Sequence, residues 1–233
     1  MQDETDNTLN VANDIAALEA EVCSAVERGH DVQETVRQLT LRKIGTHSFD
    51  IESLRQIMGA VLNGARAGVQ KELQHSAAQT DRARAQIKQA VAGLDAALAQ
   101  LAEASRLALE EAASRAQTFS REDLSRARSD LESLEAMLLE TLQASASGVK
   151  DVAHEIFSDI VTHIRIHGSA VGRQLKETVP VIVQQLEAAG RTQVATGLHL
   201  AQATSDLLRQ IAAGVLTGVA ARIRPGHTKD KGD

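Results

Sequence analysis

The chain has no Trp and no Tyr, three Phe, one Cys and two Pro in 233 residues, and each scarcity excludes something. Aromatic side chains remove the largest areas from water. A core without them has to be assembled from long aligned stripes of Ala, Leu, Val and Ile, which disfavours a compact enzyme core. The lone Cys23 cannot enter an intrachain disulfide, which suits a reducing cytoplasm, and beside Val22 and Val26 it reads as a small buried hydrophobe. With prolines only at Pro180 and Pro225, little in the covalent chain interrupts helix.

Other absences bear on function. No run reaches the roughly 18 apolar residues of a membrane span, so no transmembrane segment is expected. The N-terminal MQDETDN lacks the basic flank and apolar stretch of a secretory signal. A net charge of -6, without aromatic platforms, argues against a nucleic-acid partner. There is no Gly-rich phosphate loop, no Gly-x-Ser-x-Gly elbow and no Cys-x-x-Cys, so neither an enzyme nor a bound cofactor is expected.

What is present is helix-forming sequence. Residues 49–119 read as one helix of about 70 residues, roughly 100 Å long at the usual rise. Phe49 with Asp50 marks its start, and Phe119, Ser120 and Asp123 mark the corner after it. Its apolar positions recur at eleven as well as at three and four, as in Ile51, Leu62 and Leu73, in Met58, Val69 and Val91 with Thr80 between, and in Ile87, Leu98 and Leu109. Between 74 and 86 only alanines are apolar, so that stretch is expected to be the weakest and most hydrated. Gly59, Gly64 and Gly68 lie where a partner backbone could approach closely.

The expected fold is all-α, an elongated antiparallel bundle of long amphipathic helices: one of about 70 residues, two further long ones and a short N-terminal pair. In order, residues 1–6 are expected to be disordered and 7–48 to form the helical pair, with Gly29 ending its first member and Asp31 and Glu34 boxing the start of the second. Residues 49–224 are expected to form the bundle, with helices over about 50–118, 121–167 and 169–224, and 225–233 a flexible tail. Gly168–Ser169 separates the last two helices, and Pro180 is expected to kink the third or restart it near Thr178.

One ligand-like constellation occurs. Glu155, Asp159, His163 and His167 fall at steps of four, and a His pair at that spacing can grip a metal ion from one side. Counting 100° per residue places His163 and His167 within the Ile156, Ile160 and Ile164 stripe, facing inward. No Glu-x-x-His is present to complete a di-metal bundle site, and a polar helix end explains the pair equally well. Farther on, residues 198–223 are the least charged part of the chain. Leu198, Leu207, Leu208, Ile211, Val215, Leu216 and Val219 there are candidates for a protein contact or a surface anchor.

The segment QIKQAVAGLDAALAQLAEASRLALEEAASRAQ, residues 86–117, resembles the phasins that coat bacterial polyester storage granules. It is also similar to the exchangeable apolipoproteins, which share the eleven-residue apolar period. The resemblance implies a non-enzymatic amphipathic protein that spreads over an apolar surface. Two function classes follow: a scaffold or interaction protein that self-associates or takes partner helices through long apolar seams, and a coat for a lipid or granule surface. A metal-binding bundle using His163 and His167 is a third.

Overall fold

The computed structural model describes residues 2–46, 51–75, 80–114, 121–147 and 152–191, and every regular element among them is an α-helix. These are α1 (Gln2–Arg28), α2 (Val32–Thr46), α3 (Ile51–His75), α4 (Thr80–Ser114), α5 (Arg121–Ser145), α6 (Val152–His167) and α7 (Ala170–Arg191). The all-α class is therefore as the sequence implies, but several helix bounds are not.

The single helix expected over 50–118 is two. α3 and α4 lie against each other, and Arg82 Nε donates to the Glu72 carboxylate at 2.9 Å. Ten residues of continuous helix would separate that pair by roughly 15 Å along the axis. A straight rod gains little where only alanines are apolar, whereas folding back lets α4 bury Ile87, Val91, Leu94 and Leu98 completely or nearly so. The expectation of a hydrated stretch up to residue 86 also fails at its far end, since Ala83 and Gln86 are buried.

The helix expected over 121–167 is likewise two, because α5 and α6 pack on each other. His154 Nδ1 touches the Ala146 carbonyl oxygen, and Arg165 Nη2 donates to Gln143 Oε1 at 3.1 Å. The reversal brings Ile156, Phe157 and Ile160 into the same core as Leu134, Leu138 and Leu142. At the N-terminus α1 begins at Gln2, inside the stretch expected to be loose, and no Gly or Pro between there and Arg28 would stop it earlier. Helix α7 runs through Pro180 without a restart. Pro180 and Lys176 are both exposed, so the carbonyl that loses its amide donor lies toward solvent.

Caps explain the remaining ends. Gly29 adopts φ +69° and its amide donates to the Ala25 carbonyl at 3.2 Å, closing α1. The box expected from Asp31 and Glu34 is not formed: Asp31 sits at φ +50°, and the Glu34 carboxylate receives Arg37 at 2.5 and 2.8 Å and Gln38 at 2.7 Å. The guanidinium of Arg37 holds the Glu34 carboxyl below its ordinary value. The corner devices at Phe49, Asp50, Phe119 and Ser120, the expected helix beyond residue 191 and the tail lie outside the described residues, as does the Asp123 side chain.

One contiguous core runs through all seven helices. α4 is its axis, touching each of the other six, because its buried side chains from Ala83 to Leu109 spread over roughly half its circumference at 100° per residue. α1 lies chiefly on α3, where buried Gly64 and Gly68 bring the α3 backbone against Val22, Cys23 and Val26. Cys23 is buried there, and its thiol donates to Glu27 Oε1 at 3.1 Å. Burial, then the Glu27 carboxylate, pushes the thiol pKa above its ordinary value, away from a reactive thiolate.

Candidate functional site at the α6–α7 break

The residues around Gly168 carry the densest polar chemistry among the described residues. α6 stops at His167 because Gly168 turns to φ +78° while its amide still reaches the Ile164 carbonyl at 2.7 Å. Ser169 then opens α7: its Oγ accepts the Gly172 amide at 2.8 Å, the bond expected of an N-cap serine. Two carboxylates from other helices complete the cap. Asp95 of α4 accepts the Ala170 and Val171 amides at 2.6 and 2.9 Å, and Glu135 of α5 accepts the Ser169 hydroxyl at 2.5 Å and its amide at 3.3 Å. Negative charge at a helix N-terminus is favoured by the peptide dipoles and the free amides. Burial nevertheless pushes the Asp95 carboxyl above its ordinary value, outweighing the two amides and the Arg173 charge that pull it down.

Beside this cap, α4, α6 and α7 enclose an open groove of about 710 Å³. Val91, Ala92, Ile160 and Ile164 make its apolar wall, and Ile166, 70% exposed, stands at its mouth. Lys88, Asp95, Asp159, His163, His167 and Arg173 supply the polar lining. Both acids are engaged, Asp95 by the α7 amides and Asp159 by Arg84 at 3.0 Å. Lys88 and Arg173 make no ion pair among the described residues.

The groove also locates the His pair. His163 and His167 are exposed, not inward-facing: at 100° per residue His163 lies about 90° from the centre of the face that buries Ala153, Ile156, Phe157, Ile160, Val161 and Ile164, and His167 lies beyond the last buried residue of α6. Their rings stack with centroids 4.4 Å apart, and His167 Nδ1 lies 3.1 Å from the His163 carbonyl oxygen. Asp159, the third suggested ligand, is paired with Arg84, and no group of three His, Cys, Asp or Glu is close enough to hold an ion among the described residues. Leu198, Leu207, Leu208, Ile211, Val215, Leu216 and Val219 lie outside the described residues.

Sequence reasoning missed Asp95, Glu135, Lys88 and Arg173. A signal existed for Asp95: a single acid inside the apolar run AVAGLDAALAQL, where solvation alone gives no reason for one. Nothing local singles out the other three.

A helix capped across the core by carboxylates from two neighbours, beside a lined groove at a helix break, marks an all-helical protein held together by interhelical packing. No helix among the described residues is long and apolar enough to cross a membrane. The chain belongs to a family of unknown function, DUF6781, whose model matches residues 9–225. No curated protein and no solved structure matches it.

Proposed function

We propose that the chain is a non-enzymatic helical scaffold or interaction protein, an elongated antiparallel bundle that self-associates through apolar seams. One observation carries this reading: the polar side chains at the α6–α7 break and along the α4–α7 contact bond helix backbone or one another. Asp95, Glu135, Ser169 and Thr178 all spend their hydrogen bonds on backbone groups of α4 and α7 or on each other. Side chains committed in this way hold helices in register and are not available to a reaction. Leu107, 41% exposed on α4, is an apolar side chain left for a partner helix. Two-angle light scattering of the purified chain across a hundredfold concentration range tests the reading. A discrete oligomer that dissociates on dilution supports it, and a monomer throughout excludes self-association.

A surface coat is the second reading, and α7 favours it. Val171, Leu175, Thr178 and Ile182 are buried along one face, while Arg173, Lys176, Glu177 and Gln184 are exposed on the other. Flotation with an oil or polyester emulsion separates the two: a coat floats, and a scaffold stays below as its oligomer. A metal-binding role for His163 and His167 is not carried forward, since their rings stack on each other at the surface and Asp159 is already paired.

A further inference from the structure

We propose that the groove between α4, α6 and α7 binds a small amphipathic anion, a carboxylate or phosphate monoester on an apolar body. The case rests on three independent features of the groove. Its charge leans positive: Asp159 is neutralised by Arg84, which leaves Asp95 as the one carboxylate facing two cations, Lys88 and Arg173, neither of them within ion-pair distance of a carboxylate among the described residues. Two cations converging on one concavity that holds a single unneutralised carboxylate give it donors for an anionic head group.

The second feature is the wall. Ile166 at the mouth, 70% exposed, is the more exposed of only two large exposed hydrophobics among the described residues, and half-buried Ala92 with the edges of the buried Val91, Ile160 and Ile164 lines the groove beside it. An inorganic ion would leave Ile166 wet, whereas a ligand with an apolar body covers it. The third is size, since about 710 Å³ lies within the ordinary range for small-molecule sites and is too small for a folded partner.

The geometry also says how the head group is held. The α7 amides that would otherwise attract an anion are occupied by Asp95, so recognition falls to the side chains of Lys88 and Arg173, with the imidazoles of His163 and His167 beside them as further donors. Gly168 leaves open space on that side, with no atom within 4 Å of where a side chain would begin. This site is separate from the proposed seams and does not depend on self-association.

The test is calorimetric titration of the full-length chain with decanoate and with decyl phosphate, both below their micelle concentrations, beside decanol and inorganic phosphate. The expected result is one saturable site for at least one of the two anions. Decanol and phosphate should each bind at least about tenfold more weakly, because each lacks one half of the recognition. A Lys88→Gln/Arg173→Gln double variant should lose about tenfold or more for the anion. Both residues are exposed, so its helicity at 222 nm should match the parent. Ile166→Asn, also at an exposed position, should weaken the same binding through loss of the wall. The proposal is overturned if neither anion binds, if decanol matches the anion, or if binding is multiple and unchanged in the double variant. That last outcome is what a general surface coat would give.

Discussion

A methyl group on Gly68 would lie 2.7 Å from the Cys23 carbonyl oxygen and 2.8 Å from Val26 Cβ, both on α1, and backbone cannot move aside cheaply. Gly68→Ala should therefore cost about 1–3 kcal/mol through overpacking. At Gly59, on the same helix, nothing lies within 4 Å of the added carbon, so Gly59→Ala should stabilise by about 0.5–1 kcal/mol through lower unfolded-state entropy. Urea unfolding followed at 222 nm reads both, and equal effects would contradict the close α1–α3 packing. The sequence marks Gly59, Gly64 and Gly68 alike as sites for close approach; which of them meets a backbone depends on where α1 lies.

Asp95 supplies the second prediction at this scale. Burial raises its folded pKa above the ordinary 3.8, so between those two values the folded chain binds more protons than the unfolded one. The corresponding stability is fully present below 3.8 and is lost as pH rises through the folded value. The stability advantage of the parent over Asp95→Asn should thus shrink as pH is raised from about 3.5 to about 7. An advantage that grows with pH would mean that the α7 amides and Arg173 outweigh desolvation.

At the scale of elements, the start of α7 is the most constrained point. Ser169 accepts from the Gly172 amide and donates to Glu135, so Ser169→Ala removes a cap and also strips a partner from a carboxylate. The loss should lie in the upper part of the usual range of about 0.5–2 kcal/mol for an N-cap. Thermal unfolding of the variant against the parent measures it, and no change would show that Asp95 alone suffices. The stop at Gly168 was legible because a glycine at that point allows the left-handed turn in any context. Asp95 and Glu135 as capping groups were not, because they lie 75 and 34 residues from the helix they cap. The two long helices read over 50–118 and 121–167 illustrate the converse. Helix propensity and an eleven-residue period continue smoothly through both, and neither reports whether burial is better served by a straight rod or by folding back.

For the whole molecule, α4 touches every other described helix and so couples them. Leu98, fully buried on α4, is the position at which a cavity should be felt everywhere. Leu98→Ala should cost about 2–5 kcal/mol. Calorimetric unfolding should show one transition moved to lower temperature, and two transitions, with only one moved, would mean that the helices on either side of α4 fold independently. Cys23 fits the same picture, since its burial in the α1–α3 contact was foreseeable from its apolar neighbours.

The sequence by itself determined the all-α class, the Ala-rich core without Trp or Tyr, the helix ends at Gly29 and Gly168 and the lack of a membrane-spanning helix among the described residues. These depend on composition, period and local backbone freedom, all of which are written along the chain. The tertiary structure alone decided that α3 folds back on α4 and α5 on α6, that His163 and His167 face outward, and that Asp95 and Glu135 converge on α7. It also left Lys88 and Arg173 together in one groove. Each of those depends on which surfaces meet across dozens of residues, where the free energy of burial selects among chains whose local preferences are the same.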